Sequence, residues 1–421
     1  MSDSPVTVLI VGAGARGEIY ARYALEHPER MQVVAVAEPR RAYRRLLAER
    51  HAIPPERVWH DWRDALAHGR VADAVFICTP DNEHTAPALE FARQGYDMLL
   101  EKPLSPQEDE CREIVRVAQA NGILFAAAHV LRYTRYTQTL KALLADRAIG
   151  ELISLQHLEP VGWWHQAHSF VRGNWRNTRE AAFMLLAKSC HDIDWIQYMM
   201  DSPCEAVSSF GSLSHFTPEN QPAGAAARCT ECRPETESTC PYSALKIYTG
   251  EHPFCTPGFL SVLTPDPTTE NILNALNTGP YGRCVYHCDN NVVDHQVVNM
   301  QFAGGKTASF TMTAFTPMAE RQTRLFGSHG CIEGDGRFLR VRCFTTNQET
   351  VYDTQADAPP TQLAGHSGGD LALVARFIDA VSQRSPGYIL SGPLATLESH
   401  RVVFAAERSR RQGQTIHLSQ E

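Results

Sequence analysis

The stretch Val6-Thr7-Val8-Leu9-Ile10-Val11-Gly12-Ala13-Gly14-Ala15-Arg16-Gly17 decides the fold. Six apolar and β-branched residues run into Gly-x-Gly-x-x-Gly, and a helix-forming segment follows over 18–26. A continuous apolar run of this length marks a parallel strand covered by helices on both faces. The three glycines then differ in what they allow. Gly12 permits the tight turn, Gly14 lets backbone approach a pyrophosphate, and Gly17 lets helix and strand pack closely. The unpaired N–H groups that open the helix, at Ala15, Arg16 and Gly17, suit phosphate oxygens, and the helix dipole adds to that preference. A second strand, 32–37, ends in Glu38, 21 residues after Gly17, where a carboxylate can hold the adenosine ribose hydroxyls. These spacings predict an N-terminal dinucleotide-binding domain. Glu38 favours NAD over NADP because it repels a 2′-phosphate, although Arg40 and Arg41 just beyond could still hold one.

Working outward, helical segments at 41–51, 62–68, 84–94 and 107–121 alternate with apolar strands at 71–78, 97–100 and 123–127. That alternation predicts a doubly wound parallel sheet over 1–128, with ligands bound beyond the carboxyl ends of its strands. Thr79, Pro80 and His84, then Glu101 and Lys102, and then His129 all fall at such ends. After residue 129 the pattern changes. Segments 152–157, 292–302 and 307–316 alternate polar and apolar residues, as in an antiparallel sheet with one free face. The expected second domain, 129–421, is therefore an α/β unit with an open, mainly antiparallel sheet. It holds one strong helix over 179–200 and two near the end, 370–383 and 395–412. A free sheet face suits self-association, so a homo-oligomer, dimer or tetramer, is expected.

Composition excludes several classes. The formal charge of −8 carries no long run of one sign, which argues against nucleic acid or an anionic membrane as partner. No apolar stretch approaches the ~18–20 residues of a membrane span. The start Met1-Ser2-Asp3-Ser4-Pro5 is short and polar, so the sequence reads as leaderless and cytoplasmic.

Two places carry candidate chemistry. Lys102 lies between Glu101 and Pro103 at a strand end, where an ammonium can bind a substrate hydroxyl or exchange its proton. On the long helix, Lys188 and His191 stand at helical spacing with Trp195, one ionisable pair on an apolar stripe, and Asp192 and Asp194 adjoin them. His129, Arg132 and Tyr133 follow the last strand of the first sheet and could reach a substrate. Trp163, Trp164, His165, Arg172, Trp175 and Arg176 form an aromatic and basic loop. Such residues suit sugar faces and anionic groups, and equally an oligomer interface. His366 precedes the helix that begins near Asp370 and is a secondary candidate.

Gly12-x-Gly14-x-x-Gly17, Thr79-Pro80 with His84, Glu101-Lys102-Pro103 and His191-Asp192-x-Asp194 together resemble the glucose–fructose oxidoreductase / inositol dehydrogenase / rhizopine-catabolism (Gfo/Idh/MocA) family over nearly the whole chain. The resemblance implies NAD(P)-dependent oxidation of a sugar or polyol hydroxyl, with Lys102 matching the catalytic lysine and His191 the catalytic histidine. Many members carry Asp four residues before that histidine. Here the position is Ala187, which shifts the expected proton relay to Lys188. Relatives of this architecture also include NAD-dependent glycoside hydrolases, which oxidise a sugar at C3, eliminate the aglycone, add water and return the hydride. That is the alternative reading. A non-catalytic NAD-dependent sensor is a third, and retention of Lys102 argues against it.

Nine of the twelve cysteines lie between Cys204 and Cys343. Cys229-x-x-Cys232 and Cys240 sit in an insertion, 204–290, that reads as irregular with little apolar content of its own. Three thiolates and a fourth ligand from Cys255, Cys284, Cys288 or His287, with Cys288 taken as that ligand, would hold a structural zinc ion. Reduced buried cysteines are the plainer reading.

Overall fold

The structure is a computed structural model that describes residues 4–250, 257–358 and 366–418. Six parallel strands form the first sheet: β1 (Val6–Val11), β2 (Met31–Ala37), β3 (Val58–Trp59), β4 (Ala74–Ile77), β5 (Asp97–Leu100) and β6 (Phe125–Ala127). Their order is β3-β2-β1-β4-β5-β6. Along β1, Leu9 and Val11 enter one apolar cluster with Val75 and Ile77, while Val8 and Ile10 enter another with Tyr20 and Phe76. Both sides of the strand are buried under helices, which is why its sequence is apolar without alternation.

The second sheet has nine strands: β7 (Leu152–Pro160), β8 (Cys204–Ser212), β9 (His295–Phe302), β10 (Thr307–Thr313), β11 (Gln322–Gly327), β12 (Gly330–Gly334), β13 (Phe338–Cys343), β14 (Glu349–Asp353) and β15 (Ile416–His417). The order is β14-β13-β12-β11-β7-β10-β9-β8-β15, and β7 with β10 is the parallel pair in an otherwise antiparallel ladder. Helices Cys190–Met200 and Pro393–Gln412 pack on one face. The opposite face leaves Ile153, Phe210, Val297 and Phe326 exposed. Helix Gly369–Gln383 returns to the first sheet, where Leu373, Val374 and Phe377 join the cluster of Tyr20 and Phe76. Among the described residues no helix is long and apolar enough to cross a membrane.

Three expectations are corrected. The helix expected over 179–200 is two, Met184–Ala187 and Cys190–Met200, with 179–183 outside both. A continuous helix would pair the Ala187 carbonyl with the N–H of residue 191. That carbonyl is instead taken by Lys102, and the helix breaks at Lys188 and Ser189. Next, 204–212 is a strand: its serines conceal a β propensity that pairing with β9 and β15 supplies. Finally, the insertion has a core of its own, in which Trp164, Phe216, Tyr242, Tyr248, Leu276 and Tyr281 cluster, and it carries a ten-residue helix, Thr269–Thr278.

Candidate active site

The turn after β1 is shaped for close backbone approach. Gly12 has φ +95, and a Cβ there would lie 2.5 Å from the Cys78 carbonyl oxygen. A Cβ on Gly17 would overlap the Gly12 carbonyl, whereas the space over Gly14 is open except for the Arg40 guanidinium, 3.3 Å from where a Cβ would sit. Helix Ala15–Glu26 starts there with no side chain capping it, which leaves its first N–H groups for phosphate oxygens. Glu38 is buried behind the turn. Its Oε2 accepts the Ala13 N–H at 2.8 Å, and its Oε1 accepts the Arg40 N–H and Nε–H, each at 2.8 Å. Burial raises the Glu38 pKa, but these bonds outweigh it and hold the carboxyl below its usual range. The residues fit a dinucleotide.

Beyond the ends of β4 and β5 two loops are stitched together. His84, fully buried, shares hydrogen bonds with the Pro103 carbonyl at 2.6 Å and the Thr79 carbonyl at 2.8 Å. Glu101 Oε1 accepts from Arg16 Nε and from the Tyr20 hydroxyl, both at 2.6 Å. Burial raises the Glu101 pKa, yet the Arg16 and Lys102 charges bring it below the ordinary value. The Arg16 side chain is therefore tied down, and only its backbone faces the turn. It also donates to Asp370 at 2.5 Å, and Asp370 in turn holds His366 at 3.1 Å. Asp370 does not cap its helix, where Gly368 is the N-cap. Its carboxylate links the glycine turn to the opposite wall of the site.

Lys102 crosses that site. Its Nζ donates to the Ala187 carbonyl at 2.6 Å, immediately before the helix that presents His191. The His191 ring lies 5.7 Å from His366 and 5.9 Å from His129, and His129 lies 5.6 Å from His400. Four imidazoles thus stand in file. Burial, then the Lys102, His366 and His129 charges, push the His191 pKa well below its usual value, and burial brings His129 down to about 4. His191 is consequently neutral near pH 7, and its buried Nδ1 has no hydrogen-bond partner among the described residues. His129 is fully buried behind it. Trp175, partly exposed, donates its indole N–H to Asp81 at 3.2 Å, so the second domain touches the loop after β4. Asp81 feels the Lys102 charge, but burial dominates and raises its pKa.

Several residues expected to meet substrate are turned elsewhere. Arg132 is buried in a bidentate pair with Asp194, Nε and NH2 each at 2.7 Å, and its NH1 donates to Leu390. The Tyr133 hydroxyl accepts the N–H groups of Leu390 and Ser391. Asp192 accepts from Arg321 at 2.8 Å and contacts His157 at 3.2 Å. Lys188, separated from His191 by the helix break, reaches Glu159 at 3.0 Å, and Glu159 also meets Arg321 at 2.8 Å. Arg176 is held by Asp289 and Glu180. Trp163 and Trp164 lean on Tyr242 and Phe259 at the root of the insertion. Arg172 is fully buried there. Glu159, Arg321, His157 and His400 escape sequence reading because each is a single polar residue without a local motif. Asp81 alone carried a usable signal, as the residue after Thr79-Pro80.

Of the cysteines, Cys229, Cys232, Cys240 and Cys284 line one small cavity with Arg172. Cys288, the expected fourth ligand, does not line it and donates to the Cys284 carbonyl. Cys255 lies outside the described residues. Among the described residues, no group of three or more His, Cys, Asp or Glu already stands in metal-holding geometry.

Comparison with known families matches residues 6–129 to the oxidoreductase family NAD-binding Rossmann fold and residues 141–418 to its C-terminal α/β domain. The chain belongs to the Gfo/Idh/MocA oxidoreductase family. Among its relatives, 2,7-anhydro-N-acetylneuraminate hydratase of Mediterraneibacter gnavus is 28% identical over 207 residues, 49% of this chain and 52% of that protein. D-glucoside 3-dehydrogenase of Escherichia coli is 30% identical over 156 residues, 36% of this chain and 42% of that one. This chain therefore spans about half or less of the length of these curated relatives. In fold, levoglucosan dehydrogenase, solved with NADH and levoglucosan, superposes with TM-score 0.72 at 17% identity, covering 99% of this chain and 100% of that one.

Proposed function

We propose that this Gfo/Idh/MocA protein is an NAD-dependent dehydrogenase acting on a hydroxyl-bearing carbon of a sugar, polyol or sugar derivative. The observation that carries this reading is the bridge from Lys102 Nζ to the Ala187 carbonyl at the head of the His191 helix. It sets a cation and a neutral imidazole together where the ends of the first sheet meet the second domain. Bound NAD supplies the hydride acceptor. A substrate hydroxyl that replaces the Ala187 carbonyl on Lys102 has its oxygen held by the ammonium. His191 would take the hydroxyl proton, and NAD, when bound, would accept the hydride from the same carbon. Trp175 offers an exposed aromatic face at the rim, and His366 closes the side next to His191. Glu38 supports NAD over NADP, since its buried carboxylate suits the adenosine ribose hydroxyls and would repel a 2′-phosphate.

The test incubates purified protein with NAD and a panel of free sugars, polyols and aryl glycosides, following NADH absorbance and aglycone release together. Steady NADH formation is expected on a free sugar or polyol. Lys102→Ala is expected to lower the rate by about 10²–10⁴, the usual worth of a positioned proton-transfer group, with an unchanged melting temperature. A Lys102→Ala rate within about tenfold of the parent refutes the role.

A second reading is redox-neutral: transient oxidation, elimination and addition of water to a glycoside. The file of four imidazoles favours it, because it offers more proton-transfer groups than one hydride step uses, and one relative is named a hydratase. Aglycone release without net NADH marks this outcome. The exposed apolar residues of the open sheet face support a homo-oligomer, and the free thiols of all described cysteines support a reducing, cytoplasmic setting.

A further inference from the structure

The Cys-rich insertion holds a charge that the site chemistry does not use. Arg172 is completely buried; its Nε donates to the Arg283 carbonyl and its NH2 to the Tyr242 carbonyl, each at 2.7 Å. NH2 also faces Cys229 Sγ at 3.4 Å, and NH1 has no partner. Among the described residues no carboxylate pairs with this guanidinium. A buried cation without a counter-charge costs several kcal/mol, so an unpaired arginine calls for an anion beside it. The cavity beside it is lined by thiols and by Glu237, whose carboxylate is taken by the Ser243 hydroxyl and makes no pair with Arg172. Cys229, Cys232, Cys240 and Cys284 line the same cavity as Arg172, about 20 Å³, room for a single ion or water.

The backbone brings these four together from distant parts of the chain. Arg228 and Arg283 form a bridge, and the Cys284 N–H donates to the Ala227 carbonyl at 2.8 Å, which sets Cys284 beside Cys229. Cys229–Glu231 is a single 3-10 turn that places Cys232 on the same side, and Cys232 Sγ already accepts the Ala226 N–H at 3.4 Å. Backbone N–H groups directed at sulfur in this way are the outer support that thiolate–metal centres use.

We propose that Cys229, Cys232, Cys240 and Cys284 bind one structural zinc ion and that Arg172 is its buried counter-charge. Four thiolates around a dication carry a net charge of −2, which is the anion Arg172 lacks. Binding releases the thiol protons and draws the sulfurs from their present spacing into a tetrahedron at about 2.3 Å from the metal. The ion clasps the start of the insertion to its end.

The experiment is elemental analysis of the full-length protein purified in reducing buffer without chelator, alongside Cys232→Ser, Cys284→Ser and Cys288→Ser. About one zinc per chain is expected in the parent and in Cys288→Ser, with at least tenfold less in the other two. Because a ligand variant can fail to fold, the parent is also treated with an organomercurial, and zinc release into a chromogenic chelator is followed. Reduced apo-protein given Co²⁺ is expected to show thiolate-to-cobalt absorption. The proposal is overturned by a parent that is metal-free as purified and takes up neither Zn²⁺ nor Co²⁺. It is equally overturned by iron in place of zinc, or by Cys288→Ser losing metal as Cys284→Ser does.

Discussion

Replacing Asp194 by Ala isolates what Arg132 does. Both side chains are almost wholly buried, the guanidinium makes two 2.7 Å bonds to the carboxylate, and Arg132 lies over the Tyr198 ring. Removing the carboxylate strands a buried cation, for which the expected loss is about 3–5 kcal/mol. Unfolding entropy of about 2.1 cal/mol/K per residue over 421 residues gives about 0.9 kcal/mol/K, so the loss reads as a fall of about 3–6 °C in Tm. Arg132→Met is expected to destabilise comparably, and Arg132→Met with Asp194→Ala by less than the sum of the two, since the double variant leaves no buried charge. Differential scanning calorimetry of the four proteins completes the cycle. The pair also has a pH signature. Burial raises the Asp194 pKa, but Arg132 and His129 bring it below the ordinary value, so its stabilisation is present above about pH 4 and lost as pH falls through the folded value. A Tm within 1 °C of the parent in Asp194→Ala, with a raised KM in Arg132→Met, would refute this reasoning and return Arg132 to the substrate.

Three further outcomes are expected. His129 and His400 are held neutral by burial, at about 4 and about 3 against 6.5, so the unfolded chain binds more protons in between. Stability should then fall as pH drops from about 6.5 toward 4, and His400→Gln should flatten that slope in thermal melts. Gly12→Ala puts a methyl at φ +95 against the Cys78 carbonyl, and is expected to abolish dinucleotide binding measured by calorimetric titration. Trp175→Phe keeps the ring and removes the N–H to Asp81; a loss near 1 kcal/mol, about fivefold in kcat/KM, should come with an unchanged Tm.

The first domain was legible because its determinants are local. The apolar run of β1, the glycines of the turn and Glu38 after β2 act through sterics and periodicity over a few dozen residues, and the sheet order follows from right-handed crossovers between short-spaced elements. Lys102 and His191 were legible as ionisable residues in a recognisable setting. What they touch was not. The break at Lys188 depends on a lysine 85 residues away capturing the Ala187 carbonyl, and helical periodicity cannot register that capture. Likewise Arg132 and Arg172 look alike in sequence, as arginines among aromatics. Only the tertiary structure gives one a carboxylate 62 residues on and the other a ring of thiols. Local sequence thus determined the elements of the first sheet and the glycine turn that suits a dinucleotide. Long-range contacts, which set desolvation and charge pairing, decided which ionisable groups remain available for chemistry.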